Sequence, residues 1–264
     1  MKSAKTLKRV LSLALSSIGM LAVIFGFMLI SVGFCVYNKN FYNAEFSKNA
    51  SYDQNYDTYT FSKGNSGTLV ISADELFKVR DKIIAYFSGT DKSLQIEVFF
   101  NGSNQKFFTD FETEGNEDNE IAHMEDVKPI FIAVKILGYV LAVLGVLVLI
   151  AAFLLTEKGY RLRVLCRGAI IGASIFLLII GTIGLYIAID FNTAFTVFHH
   201  IFFPQGNWTF SITSNMLAIL PEVLFLDAAI TIISCGVGLA IILLITGIIG
   251  LRLNKKRTKY KTNG

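Results

Sequence analysis

Charge is scarce in this chain. Only 17% of its 264 residues are Asp, Glu, Lys or Arg, 53% are hydrophobic, and mean hydropathy is +0.55. Disorder needs low hydrophobicity and high charge, so it is excluded. The same composition argues against an ordinary soluble enzyme. At about 100–200 residues per domain, the length suggests one or two domains. Cysteine is also sparse. Cys35, Cys166 and Cys235 are dispersed in or beside apolar runs. That excludes a disulfide framework and a C-x-x-C metal site and leaves small, soft core residues. Familiar catalytic signatures are missing. Gly64-Asn-Ser-Gly67 is turn material, not a G-x-S-x-G elbow, and no P-loop, H-E-x-x-H or dinucleotide fingerprint occurs. No cofactor, metal or nucleic-acid partner is expected.

What the chain has instead is four long apolar runs. Val10–Tyr37, Gly168–Ile189 and Ala228–Leu251 carry no charge, and Pro129–Leu155 carries only Lys135. Each exceeds the roughly 20 residues that cross about 30 Å of hydrocarbon. A helix is the one single-segment solution that satisfies its own backbone there. Glycines such as Gly172, Gly181, Gly236 and Gly247 suit close helix packing. The first run is far longer than the 7–15 residues of a signal-peptide core, so it is expected as a retained span. Val32-Gly33-Phe34-Cys35 is a poor lipidation box because Phe34 is bulky.

The modest formal charge of +4 conceals a split. Lys2–Arg9, Thr156–Arg167 and the tail from Arg252 hold fourteen basic residues and one acid, +13 together. Segment 38–128 holds nine basic and sixteen acidic residues, −7, and segment 190–227 holds three acids. Cytoplasmic loops carry excess Lys and Arg. Both termini and 156–167 are therefore expected inside, and 38–128 and 190–227 outside.

The expected fold is an all-α transmembrane bundle of four helices with a small α+β extracytoplasmic domain between the first two. The spans are 10–37, 129–155, 168–189 and 228–251, with an outer domain at 38–128, a cytoplasmic loop at 156–167, an outer interfacial loop at 190–227 and a basic tail at 252–264. Within the outer domain Thr68–Ser72 reads as a strand. Ser72 or Asp74 would cap a helix bearing Leu76, Val79, Ile83 and Phe87, which Gly89 would end. A strand over Leu94–Phe100 would turn at Asn101-Gly102 and return over Gln105–Phe111. Glu112–Glu120 reads as a solvated linker.

The three histidines, His123, His199 and His200, all fall just outside the outer ends of the second and third apolar runs. Histidine exchanges protons near neutral pH without large tuning. Each is equally compatible with an interfacial packing role. Pro129 suits the first turn of the second helix. A helical 121–129 would put His123 and Asp126 on one face, where the carboxylate would orient the imidazole or form a routine solvated pair. The 195–210 stretch holds six aromatics with His199, His200, Asn207 and Trp208 among them. Aromatics suit the headgroup level; the polar members are what a binding site would add. Leu217–Leu251 is too long for one upright crossing, so Pro221, Glu222 and Asp227 read as an interfacial turn. Ionisable groups at that depth are functional candidates.

These motifs resemble the bacterial four-span lipoprotein intramolecular transacylase family. The likeness rests on His-Met-x-Asp-Val-Lys at His123–Lys128, Phe-His-x-Ile-Phe-Phe at Phe198–Phe203, and Gly-Asn-Trp at Gly206–Trp208. Leu-Pro-Glu at Leu220–Glu222, with Phe225 and Asp227, completes it. It covers nearly the whole chain. Two departures stand out. Ser211–Asn215 replaces a more charged Pro-Lys-Thr-Asp-like stretch, and His200 falls on a variable position, so the role passes to His199 alone. The resemblance implies an acyltransferase of the cell membrane, multi-pass, with its site on the extracytoplasmic face. Its partners would be diacylglyceryl-modified bacterial lipoproteins and membrane lipids. It would move the sn-2 acyl chain to the α-amine of the same N-terminal cysteine, giving the lyso-form. His123 and His199 would act as acid and base, in either order, and Asp126, Asn207, Trp208 and Glu222 would orient them or hold the substrate. From the residues alone, a non-enzymatic membrane sensor or accessory subunit stands beside this reading.

Overall fold

A computed structural model describes residues 2–110 and 119–262. In chain order the elements are α1 (Lys2–Ile30), α2 (Val32–Val36), α3 (Lys39–Asn49), β1 (Ala50–Asp53), β2 (Thr58–Ser62), β3 (Thr68–Ser72) and α4 (Ala73–Ser88). There follow β4 (Glu97–Phe100), β5 (Ser103–Lys106), α5 (Glu120–Leu155), α6 (Arg161–Ile189), α7 (Phe191–Phe202), α8 (Asn215–Ile219) and α9 (Glu222–Thr262). Four stretches are helical, long and apolar enough to cross a membrane: Lys5–Val36, Glu120–Leu155, Arg161–Ile189 and Glu222–Lys255.

The chain divides into two compact units. One holds residues up to Ser31, Val134–Ile189 and Thr231 onward. It is all helix. Its buried centre is Ile24, Ala173, Phe176, Ile180 and Ala240. Large side chains such as Val143, Leu154, Leu178 and Leu185 are exposed, as expected where lipid replaces water. Small residues set how closely the helices approach. A β-carbon at Gly172 of α6 would lie 2.8 Å from the Ser17 carbonyl oxygen of α1, so glycine is required for that spacing.

The other unit holds Val32–Ala133 and Asp190–Ile230. Its antiparallel sheet has the order β1-β2-β3-β4-β5. Alternation places Tyr59 and Phe61 of β2, Leu69 and Ile71 of β3, and Val98 and Phe100 of β4 in the core with Leu76, Val79 and Ile83 of α4. The expected strand at Thr68–Ser72 is present. Ser72 Oγ accepts from the Glu75 N–H at 3.3 Å, and Gly89 ends α4 at φ +82°. Asn101 (φ +49°) and Gly102 (φ +86°) form the tight β4–β5 turn.

Five observed features depart from or add to these expectations. β4 begins at Glu97, and the return strand is Ser103–Lys106, because Phe107 and Phe108 leave the ladder to bury completely in the core. β1 and β2 lie in a polar stretch that gave no strand expectation. Pro129 does not open the second long helix. Asn119 does, its Oδ1 accepting from the Ala122 N–H at 2.9 Å, and the helix runs through Pro129. Glu120 is fully buried rather than solvated; the linker positions 112–118 lie outside the described residues. Finally, the 190–227 loop contains α7 and α8, and α9 starts at Glu222.

Candidate active site

The motif residues gather within the second unit. α7 opens on Asp190, whose Oδ1 accepts from the Thr193 N–H at 3.0 Å. Phe191, Phe195 and His199 follow at four-residue spacing, which stacks them along one face. Ring centroids are 5.7 Å apart for Phe191–Phe195 and 4.1 Å for Phe195–His199. His199 is 7% exposed, and Trp208 covers it with centroids 4.8 Å apart.

The state of His199 can be read from its partner. Nδ1 lies 2.8 Å from the Phe195 carbonyl oxygen. A carbonyl only accepts, so Nδ1 carries the hydrogen and Nε2 presents its lone pair. Burial holds the His199 pKa below its ordinary value. The Phe195 carbonyl and the Glu222 carboxylate oppose that, and His200 adds to it. The lowered pKa favours the neutral ring.

His123 sits in the first turn of α5, also 7% exposed. Its ring faces that of His199 at 6.1 Å and 25°, with Phe203 at 4.8 Å and Phe210 at 5.4 Å. Its Nδ1 is buried and has no hydrogen-bond partner among the described residues. Two imidazoles from distant parts of the sequence therefore share one aromatic enclosure. His200 stays apart, exposed, its ring edge-on to Trp208.

Asp126 acts on the His123 ring through its charge. Its Oδ2 accepts from Gln205 Nε2 at 2.8 Å and Asn207 Nδ2 at 2.6 Å, across the turn that follows α7. A carboxylate only accepts, so Asn207 must turn its amide nitrogen to Asp126 and its Oδ1 away. That oxygen is buried with no hydrogen-bond partner among the described residues. Gly206, at φ +85°, lets Gln205 and Asn207 reach the same carboxylate. Glu222 opens α9 and acts on His199 through its charge. Other motif members serve the frame: Lys128 lies over the Tyr86 ring at 3.9 Å, Phe225 packs on Phe195, and Asp227 pairs with Lys48.

Sequence reasoning missed three participants. The Phe195 carbonyl is a backbone group with no side-chain signal, though its position four residues before His199 follows from a helix. Gln205 is an unremarked polar residue. Glu120 is one carboxylate in a run of acids. Together the groups present two imidazoles and an amide oxygen within an aromatic wall. Such a set can take a proton, deliver one and hold a polar head.

A family model described as lipoprotein intramolecular transacylase Lit matches residues 17–225. No curated protein matches the chain. Among solved structures, the membrane-integral lipoprotein intramolecular transacylase Lit from Bacillus cereus is 21% identical with a TM-score of 0.63, covering 96% of this chain and 99% of its own. Two variants of that protein are similar as well. One carries a histidine-to-arginine change (23%, TM-score 0.55, 96% and 95% covered), the other a histidine-to-alanine change (22%, 0.51, 98% and 97%). At these identities the structures speak for a shared fold. With the family match extending over most of the sequence, the chain belongs to the lipoprotein intramolecular transacylase family.

Proposed function

We propose that this protein moves the sn-2 acyl chain of a diacylglyceryl-modified N-terminal cysteine to the α-amine of that cysteine, giving a lyso-form lipoprotein. The reaction takes place at the outer leaflet of the bacterial plasma membrane, with both termini inside. The amine nitrogen attacks the ester carbonyl and loses a proton to His199 Nε2. The tetrahedral intermediate collapses as the carbonyl–oxygen bond to glycerol breaks. The proton that His199 took from the amine passes by way of His123, whose ring faces it, to the departing oxygen, so both imidazoles end neutral and an amide remains on the cysteine. Ester and amine belong to one molecule, so no acyl-enzyme is needed. Well-oriented intramolecular reactions gain about 7–11 kcal/mol, and a positioned acid–base pair adds about 10²–10⁴-fold. Asn207 Oδ1 accepts from the amine, Asp126 fixes that amide, and Trp208 and Glu222 hold His199 and the head of the substrate. The observation that carries the reading is the fixed His199 tautomer beside a second buried imidazole.

The test is the lipid structure of a reporter lipoprotein by mass spectrometry of its N-terminal peptide, with and without this protein. Appearance of the N-acyl, monoacylglyceryl form only with the protein supports the reading; an unchanged diacylglyceryl terminus overturns it. Asp126→Ala frees Gln205 and Asn207 together. It should slow conversion about tenfold, equivalent to roughly 1.4 kcal/mol, at nearly unchanged thermal stability because Asp126 is exposed. Wild-type turnover in that variant would remove Asp126 from the scheme.

A further inference from the structure

We infer that Glu120 is a positioning residue for His123, a role that rests on the transacylase reading above. Glu120 is 0% exposed. Its Oε2 accepts from the Thr109 N–H at 3.0 Å, while the Ile121 N–H donates to the Thr109 carbonyl at 3.2 Å. Its Oε1 accepts from the Ser214 hydroxyl and from the Met216 N–H at 3.2 Å. Ser214 Oγ in turn accepts from the Leu217 N–H at 3.1 Å, capping α8. A lysine completes the node. Lys63 Nζ, in the field of the Glu120 charge, donates to the Thr213 carbonyl and to Asn215 Oδ1, both at 2.6 Å. Asn215 Nδ2 donates to the Phe107 carbonyl at 3.0 Å.

One carboxylate thus fastens the start of α5 to the segment after β5 and to the 211–216 loop. His123 lies three residues beyond Glu120, on the same face of the first turn of the helix. Phe210, which packs edge-on against the His123 ring, enters the same loop. Asp126 lies three residues further and fastens the 205–207 turn. The two carboxylates bracket His123 and hold both ends of the segment that walls it. Asp126 is exposed, so water competes for its partners; Glu120 is shielded from water. A buried charge that accepts from the Thr109 N–H, the Ser214 hydroxyl and the Met216 N–H is held in one geometry and is costly to disturb. Glu120 faces a backbone N–H through each of its two oxygens, which its acceptor-only character suits.

Glu120→Gln tests this. A glutamine has one acceptor oxygen and would set its amide donors against either Thr109 or Met216. Misplacement of a reacting group by about 1 Å costs on the order of 100-fold. The purified full-length variant should lose about 10–100-fold in kcat on a lipoprotein substrate, with KM within about threefold of wild type. Amide exchange over 119–124 and 211–216 should rise, and Glu97→Gln, an exposed carboxylate on β4, should change neither. If Glu120→Gln folds poorly, Ser214→Ala removes one donor and should show the same split at smaller size. The inference fails if exchange is unchanged, or if exchange rises while kcat per folded molecule stays at the wild-type value. A wild-type protein that makes no lyso-form would overturn the transacylase reading instead, and the exchange pattern alone would then judge the anchoring.

Discussion

His199→Gln, expressed at the wild-type level, should slow formation of lyso-form lipoprotein by about 10²–10⁴-fold. Glutamine keeps a planar polar group between Phe195 and Trp208 but cannot accept the proton of an attacking amine. Activity should not vanish, because the gain from holding ester and amine together is independent of the base. Wild-type kcat/KM should fall on the acid side as His199 takes up a proton. Its pKa is lowered by burial, so this limb should lie below 6.5, the ordinary histidine value. The neutral, active form persists to lower pH than a solvated histidine would allow. A His199→Gln rate within a few-fold of wild type, or a limb well above 6.5, would contradict its role as base.

His123→Ala should be comparably severe and differ in character. His123 is assigned to the departing oxygen, so the need for it depends on how poor that leaving group is. A substrate with a thioester at the sn-2 position releases a thiolate, whose conjugate acid has a pKa of about 8.5 and needs little help from an acid. With that substrate His123→Ala should recover most of its loss and His199→Gln should not. Equal losses on both substrates would show that the two rings do not divide the work. Removing both should cost little more than the worse single change, as for groups that act as a unit.

Much of the frame was legible because its causes are local. Four apolar runs, the Ser72 cap, the Gly89 stop and the Asn101-Gly102 turn each depend on a few neighbouring residues, and all are present. The polar strands β1 and β2 were not, since Thr58–Ser62 pairs with residues on either side rather than announcing itself by an apolar run. Pro129 misled because proline is tolerated within this helix, whereas the start is set by Asn119.

The sequence by itself determined which residues were candidates: histidines are few, and their flanking motifs are specific in combination. Tertiary structure decided what each does. Asp126 was expected beside His123; its charge does act on that ring, while its carboxylate binds Gln205, 79 residues away. Glu120 was expected in water, yet it is bonded to Ser214, 94 residues away, and wholly buried. Helix periodicity and capping are settled by the chain's own short-range sterics. The partner of a carboxylate is settled by whichever donors the folded chain brings to it, and no spacing along the sequence records that.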